Sequence, residues 1–342
     1  MILLHILSLL LIEASIVHLL PTENNQLTLD EITEYINNHP SAGWKAEKYS
    51  RFQSIEDARH ALGSLLLKDS AEINKKVPVI SHKHLEVKLP KKFDARKKWK
   101  NCSSIGTVYD SSRCNSVYAM VAAATMSDRI CIQSYGKKNI TLSSIDIVSC
   151  CTDCGDGCQG GYYLKPWDFW LTKGIVTGGT NKSSNSCLPY PFPKCEHAHT
   201  KGKYPECKSG TPKTPKCTKT CQPSYKVKYD NDKQYGNIYY MIYQNEIDIM
   251  KEIFVKGPVE AAFNVYLDFL SYKSGIYKHI TGQYLGDAPI RIIGWGEENH
   301  TRYWLCSHVW NEDWGEKGYF RILRGKNECA IESSIVGGEA RK

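Results

Sequence analysis

Three polar residues of this sequence are of the types that perform nucleophilic catalysis. Ser116, His308 and Asp287 could supply a nucleophile, a general base and the carboxylate that orients the base. Such a site works only if the hydroxyl and the imidazole lie within hydrogen-bond reach of each other. The three residues are far apart in the chain, so this hypothesis depends on the elements that would bring them together.

The cysteines are a second group with possible chemistry. All 14 lie between Cys102 and Cys329, and the first hundred residues contain none. This distribution indicates a cysteine-free leader followed by a disulfide-bonded domain. Cys151, Cys154 and Cys158 have a spacing that could suit zinc. Thiols in an oxidising compartment form disulfides first, however, so we expect no metal site and no cofactor.

The N-terminal residues and the net charge limit the location and the partners of the protein. Residues 2 to 12 are almost all apolar. They predict a signal peptide over residues 1–15, although its basic residues are missing, and a buried N-terminal helix is the alternative. No later run reaches about 18 apolar residues, so we expect no membrane partner. The net charge of +8 comes without an arginine-rich face or stacking aromatics, so we expect no nucleic-acid partner.

One stretch carries a resemblance to a known family. Residues 110–120 read DSSRCNSVYAM, which resembles DQGxCGSCWAF, the run around the nucleophilic cysteine of papain-type proteases. Cys114 keeps the first cysteine of that run, but Val117 stands where the family has its nucleophile. A valine side chain cannot ionise, and it cannot attack a carbonyl group.

Three further segments carry the same resemblance. The run CGDGCQGGYY at 154–163 is similar to the glycine-rich turn that lines the family's substrate cleft. Residues 295–325 resemble the strand pair that carries the family's Asn and a shielding Trp, and residues 189–207 resemble the occluding loop of cathepsin B. From about residue 25 to its end, the chain resembles cathepsin B-like precursors of the papain family.

This resemblance implies an α+β, two-lobed papain-like fold. The helical left lobe would be built around a long helix that starts near Ser116, and the right lobe would be a β-barrel over roughly residues 225–335. The implied domains are a signal peptide at 1–15, a propeptide at 16–88 and a cathepsin B-type domain at 89–342, with the occluding loop at about 187–221. The junction should fall close to Leu89.

The resemblance also places four replaced residues at the catalytic positions. Val117 replaces the Cys and Ala288 replaces the His, while His308 and Ser111 replace the orienting Asn and the oxyanion Gln. A cysteine protease needs a thiolate beside a positioned base and an oxyanion donor. We therefore expect no intact catalytic residues. The protein would bind peptides or protease inhibitors in its cleft, or act as a decoy; a working cysteine peptidase and a storage or structural protein are the alternatives.

The rebuilt Ser–His–Asp site is the weaker hypothesis once the alignment is fixed. Ser116 precedes the nucleophile position by one residue, so on a helix it points about 100° away from the cleft. His308 stands at the position of the orienting Asn rather than that of the base. We expect Ser116 to hydrogen-bond locally near the helix N-terminus and His308 to be a half-buried residue beside Trp310.

The cleft is expected to be better preserved than the chemistry. Gly160, Gly161 and Trp310 would offer a surface to an extended peptide, while Ser334 would lie at the base of the second specificity pocket and favour an apolar side chain. The two glycines fit tight turns of the fold equally well.

The occluding loop of cathepsin B carries two adjacent histidines that capture a carboxylate. Here Ala198 separates His197 from His199, while Asp110 and Asp313 keep the family's anchoring carboxylates. Solvated histidines in a lysine-rich loop are an equally good interpretation.

The resemblance also implies the disulfide pairing. The six pairs are Cys102 with Cys131, Cys114 with Cys158, Cys150 with Cys217, Cys151 with Cys154, Cys187 with Cys221, and Cys195 with Cys207. Cys306 would be a small buried hydrophobic residue, because nothing nearby activates it as a nucleophile, and Cys329 matches a free cysteine of the family.

Further expectations concern the leader and the surface. Ile32, Ile36 and Ala58 belong to helical apolar patterns, and the leader resembles a propeptide lying along the cleft. The sequons at Asn139, Asn181 and Asn299, with a fourth at residue 101, predict glycosylation. We expect a monomer, secreted or lysosomal, whose partners include its own propeptide.

Overall fold

A computed structural model describes residues 28–49, 52, 54–64, 77–196, 203–208 and 210–342. The signal peptide predicted at 1–15 and the two loop histidines, His197 and His199, lie outside the described residues. Within these ranges, no helix has both the length and the apolar character needed to cross a membrane.

The described chain contains nine α-helices and ten strands. Helices α1 to α9 are Leu29–Asn38, Ile55–Ala61, Ala95–Lys98, Ser103–Gly106, Val117–Gln133, Ser144–Cys150, Lys165–Thr172, Tyr229–Asp232 and Glu246–Lys256. Strands β1 to β10 are Trp44–Ala46, Val79–Ile80, Phe93–Asp94, Gly236–Ile242, Val259–Tyr266, Tyr272–Tyr277, Tyr284–Glu298, Thr301–Ser307, Tyr319–Leu323 and Ile335–Ala340. Three short 3-10 helices are Gly157–Gln159, Leu267–Ser271 and Glu328–Ala330.

Helix α5 is the centre of the helical lobe. Its residues from Val117 to Cys131 are all buried, and its two buried charged side chains are paired, Arg129 with Glu252 and Asp128 with Arg291. It contacts α6 and α7 on one side and strands β7 and β10 on the other. The helix therefore joins the two lobes along its length.

The other lobe is a mixed sheet in the order β1-β6-β9-β8-β7-β5-β10-β4-β2, with β3 beside β7. Its centre is the antiparallel run β5-β7-β8-β9. An aromatic cluster of Phe269, Trp310, Trp314 and Phe320 fills the core beside these strands. The predicted α+β papain-like fold is confirmed.

The six disulfides pair the cysteines as the resemblance implied. Cys151, Cys154 and Cys158 are all bonded to other cysteines, so none of them has a thiolate for zinc. The free cysteines are Cys306, which is buried, and Cys329, which is partly buried.

The leader is part of the folded core. Helix α1 begins with a capping box between Thr28 and Glu31 and buries Ile32 and Ile36. Strand β1 pairs antiparallel with β6, and the buried Trp44 packs against two tyrosines of that strand. The leader and the domain therefore share one apolar interior.

A buried ion pair anchors the last part of the leader, around His82. Arg129 donates to Glu252 over 2.7 Å, and both side chains are buried. His82 lies 2.5 Å from the other oxygen of that carboxylate. Burial acts to raise the pKa of Glu252, but the Arg129 charge and the hydrogen bonds from His82 and Arg129 outweigh it and lower the pKa to about 2.

This ion pair predicts acid sensitivity. Because the folded pKa of Glu252 lies below its unfolded value, the stabilisation is present above about pH 4.5 and is lost as the pH falls toward 2, by up to about 3 kcal/mol. Urea unfolding with the disulfides intact, measured from pH 6 to pH 2.5, should show this loss. The Glu252→Gln variant should be less stable at pH 6 and should depend less on pH. An equal pH dependence of the two proteins would contradict this prediction.

Candidate functional site

The cleft between the lobes begins at the N-terminus of α5. Val117 is the first residue of this helix and is fully buried. A helix N-terminus carries about half a positive charge, which stabilises a thiolate but does nothing for an isopropyl group. A cysteine at this position would therefore be activated as a nucleophile. The valine that occupies it has no group that can react.

The opposite wall holds the residues predicted at the base and orienter positions. Ala288 lies on β7 opposite Phe263 of β5 and is fully buried. The His308 ring centroid lies 4.0 Å from that of Trp310, and its Nδ1 accepts the backbone N–H of Val309 over 2.8 Å. The expectation of a half-buried His308 was wrong, because the aromatic cluster encloses the ring and leaves it 1% exposed.

The other members of the Ser–His–Asp hypothesis are bonded elsewhere. The Ser116 hydroxyl lies 2.7 Å from the Tyr190 hydroxyl and donates to the carbonyl of Cys114. Asp287 accepts a hydrogen bond from Tyr284 over 2.8 Å, and burial raises the pKa of its carboxyl group. These local contacts give both side chains structural roles.

Ser111 lies on the helical side of the cleft and is buried. Its backbone N–H donates to the carbonyl of Val309, and its own carbonyl accepts from Tyr190, each over 2.8 Å. The backbone thus joins the two lobes at this point. The serine hydroxyl has no hydrogen-bond partner among the described residues.

The leader crosses the cleft at the C-terminal end of α2 and in the turn that follows it. The Gly161 N–H donates to the Gly63 carbonyl over 3.2 Å, and Ser64 forms a parallel bridge with Gly161. The indole N–H of Trp310 donates to the Ala61 carbonyl over 3.3 Å. Two predicted cleft residues therefore bind backbone carbonyls of the leader, at a turn in which Leu62 is helical and Gly63 is left-handed.

Gly63 lies directly above Val117. Its φ of +63° is in the left-handed region, and a Cβ added there would lie 2.9 Å from the Val117 Cβ and 2.8 Å from the Asn115 carbonyl. Only a residue without a side chain fits this close approach. Sequence analysis missed Gly63, although a glycine just after a short amphipathic helix is a typical termination signal.

The remaining cleft residues lie at turns and at the sheet edge. Gly160 has a φ of +116° at the end of a 3-10 turn. This backbone conformation favours glycine, so the fold alone explains the residue at this position. Ser334 accepts the backbone N–H of Ala262 through its carbonyl. The preference of this pocket for an apolar side chain stays a prediction.

The base of the occluding loop is held by two acidic residues. Asp110 accepts from the backbone N–H of Cys195 over 2.9 Å and from the Asn311 amide over 3.1 Å. Glu312, which sequence analysis missed, binds Lys194 and Tyr204, each over 2.5 Å. Asp313 donates its backbone N–H to Asn311 next to this cluster.

Comparisons with known proteins agree with this geometry. The sequence profile described as "Papain family cysteine protease" matches residues 89–338. The chain belongs to the papain family. It is 53% identical over 321 residues to a "Cathepsin B-like cysteine proteinase" of Schistosoma japonicum, covering 93% of each chain. It is 43% identical to "Cathepsin B-like cysteine proteinase 4" of Caenorhabditis elegans, covering 91% of this chain and 92% of the relative.

Solved proforms of the family are similar as well. The structure of "proCathepsin B S9 from Trypanosoma congolense" matches with a TM-score of 0.77 and 33% identity, covering 91% of this chain and 97% of that one. The proform of the ragweed pollen allergen Amb a 11 matches with a TM-score of 0.68 over 92% of this chain and 87% of that one. At 18% identity, the second match supports the fold alone. The leader seated on the domain is thus an arrangement that proforms of the family share.

The contact between Gly63 and Val117 gives a testable prediction. Gly63→Ala should push the leader out of the cleft, because its Cβ has no room. Amide hydrogen exchange at Gly161, whose N–H is bonded to the Gly63 carbonyl, should then speed up at least tenfold.

Gly43→Ala is the matched control. Gly43 also has a left-handed φ, of +73°, but a Cβ there would meet nothing within 4 Å. Both variants carry a similar backbone strain of roughly 1 kcal/mol or more. Gly161 exchange should be nearly unchanged in the control. Equal acceleration in both variants would mean that strain, rather than the clash over Val117, loosens the leader.

Proposed function

We propose that this chain is a catalytically inactive cathepsin B-like protein that binds extended peptide segments in its cleft. The observation that carries the proposal is the contact at the N-terminus of α5. Val117 is buried there beneath the backbone of Gly63, at the position that the resemblance equates with the nucleophile. Catalysis in this family begins with a cysteine thiolate, and the Val117 side chain cannot form one.

The two free cysteines do not offer a substitute. Cys306 is fully buried on β8, and burial raises the pKa of its thiol well above its usual value. Burial and the neighbouring carboxylates of Glu328 and Asp268 also raise the pKa of Cys329. A reactive cysteine needs the opposite environment, with a lowered pKa and an accessible sulfur.

The other replaced positions support the same proposal. Ala288 has no group that could take up a proton. The Nδ1 of His308 accepts a backbone N–H, and the ring is enclosed by Trp310, Trp314 and Phe269. A base must reach both the nucleophile and a group that orients it, and an imidazole held in this way belongs to the core.

Binding is the function that the remaining cleft supports. The backbone N–H of Gly161 and the indole N–H of Trp310 hold the leader at Gly63 and Ala61 without any catalytic group. A peptide or a protease inhibitor presenting an extended backbone could use the same donors once the leader has left. The leader itself is thus the first ligand that we propose. The alternative is a storage or structural role, in which the cleft would bind no ligand.

The proposal also covers the location of the protein. Six disulfides are typical of the secretory route, so we propose a glycosylated protein, secreted or lysosomal. Asn139 and Asn299 are exposed. Asn181 is partly buried and donates its amide to the Pro191 carbonyl, so attachment of a glycan there would compete with that bond.

A working peptidase is the second candidate function. One observation favours it: the relatives at 53% and 43% identity carry the name of cysteine proteinases. The two candidates differ in a single measurable property, the presence of a reactive thiol in the cleft.

An active-site probe should separate them. We expect no labelling by an epoxysuccinyl probe, either of the full chain or after the leader has been cut by an added protease, because the cleft has no thiolate. Thiol titration in denaturant should still count the two free cysteines. A labelled band whose modified residue lies in the cleft would contradict the proposal, and an active cathepsin B is the positive control.

Restoring the replaced residues tests the assignment of each position. Val117→Cys alone should stay inert, because Ala288 supplies no base. The combination Val117→Cys, Ala288→His, His308→Asn and Ser111→Gln should exceed the single variant by about 10³-fold or more in kcat/KM on a dipeptidyl substrate.

The neighbouring Pro289 requires a second version of the quadruple variant. Proline fixes φ and removes a backbone donor next to the restored histidine, so Pro289→Ala is added as a fifth change. If the single variant were as active as either combination, our assignment of the base position would be wrong.

A further inference from the structure

A cavity lies between helix α5 and the base of the occluding loop. It has a volume of about 310 Å³. Helix α5 lines it with Met120, Ala123 and Ala124, and the loop lines it with parts of residues 190–194 and 204–205. The two residues that hold the leader in the cleft do not line this cavity, so the cavity and the cleft are separate sites.

The loop side of the cavity is aromatic. The ring centroids of Tyr190 and Phe192 lie 5.4 Å apart with the ring planes at 75°, and the Lys194 ammonium lies 5.5 Å from the centroid of the Tyr204 ring. All four residues line the cavity. In another protein, an apolar cavity of about 150 Å³ holds one benzene ring. A cavity of twice that volume therefore suits a flat molecule of two fused rings.

One hydroxyl group in the lining has no hydrogen-bond partner among the described residues. It belongs to Tyr109, which lines the cavity and is 7% exposed. Burial raises the pKa of Tyr109, so the hydroxyl stays protonated and can donate. A buried hydroxyl without a partner costs free energy. A ligand that places an acceptor beside this group would remove that cost.

The charged groups of the lining favour an anionic ligand. The carboxylate of Asp110 already accepts three hydrogen bonds, and Lys194 is paired with Glu312 over 2.5 Å. Lys182 is exposed and forms no ion pair within the part of the chain that the structure describes. A carboxylate on the ligand is the group that complements this lysine.

We propose that this cavity binds a flat aromatic acid of two fused rings, with a hydrogen-bond acceptor at the end of the rings opposite the carboxylate. The rings fill the space between α5 and the loop. The acceptor takes the hydrogen of the Tyr109 hydroxyl, and the carboxylate faces Lys182. A flexible chain of the same volume would lose more conformational freedom on binding, so we expect it to bind less tightly.

The test compares three matched molecules by calorimetry on the full chain. They are 6-hydroxy-2-naphthoate, 2-naphthoate, which lacks the acceptor, and 2-naphthol, which lacks the carboxylate. We expect 6-hydroxy-2-naphthoate to bind about threefold or more tighter than either of the others, because one hydrogen bond or one ion pair is lost in each. Decanoate, a flexible acid, should bind less tightly than 6-hydroxy-2-naphthoate.

Tyr109→Phe tests the hydroxyl. It should weaken binding of 6-hydroxy-2-naphthoate about three- to tenfold and leave 2-naphthoate nearly unchanged. The Tm of the free protein should stay the same or rise, because the hydroxyl has no partner to lose. Tyr163→Phe is the matched control: its hydroxyl is also buried without a partner among the described residues, but Tyr163 does not line the cavity. The control should bind all three molecules as the unmodified chain does.

Lys182→Gln tests the charge. It should weaken binding of both acids about two- to fivefold and leave 2-naphthol nearly unchanged. The control Lys213→Gln removes an exposed lysine that does not line the cavity. It alters the net charge equally and should leave all three affinities nearly unchanged.

Several results would overturn the proposal. They are no binding of 6-hydroxy-2-naphthoate, tighter binding of decanoate, or an equal loss in a variant and its control. A fall in Tm of more than about 3 °C in Tyr109→Phe would show that the hydroxyl is already bonded within the protein. None of these results depends on whether the cleft is catalytically active, because no cleft residue is changed.

Discussion

The contact between the Gly63 backbone and Val117 determines how the two halves of the cleft and the leader fit together. Gly63 reaches over the N-terminus of α5 so closely that a Cβ has no room, while its carbonyl binds Gly161 on one side of the cleft. Two residues earlier, the Ala61 carbonyl binds Trp310 on the other side. The leader is therefore held across both lobes, and its position depends on a small, uncharged side chain beneath it.

The leader is fixed at three places in addition to the cleft. Helix α1 buries its apolar residues against the domain, β1 extends the sheet beside β6, and the segment around His82 binds the buried pair of Glu252 and Arg129. The first two contacts are mainly apolar or between backbone groups, which do not titrate. Only the third weakens strongly on acidification, so the leader is held in most places by contacts that are insensitive to pH.

Helix α5 gives the molecule two surfaces with different chemistry. Its N-terminus meets the cleft, where Gly161 and Trp310 bind the backbone of the leader. Its C-terminus ends beside a groove lined by residues 97–102 and 339–342, next to the exposed Tyr135. The disulfide between Cys102 and Cys131 joins the segment before α4 to the end of α5.

The sequence by itself determined the fold class and the register of the landmark motifs, because the family's glycines, tryptophans and cysteines recur at matching positions. It also determined that Val117 and Ala288 lack ionisable groups, whatever the fold. Tertiary structure decided the rest. His308 is fully enclosed because aromatic residues from distant segments converge on it, and Gly63 matters because of a close approach that no local pattern records.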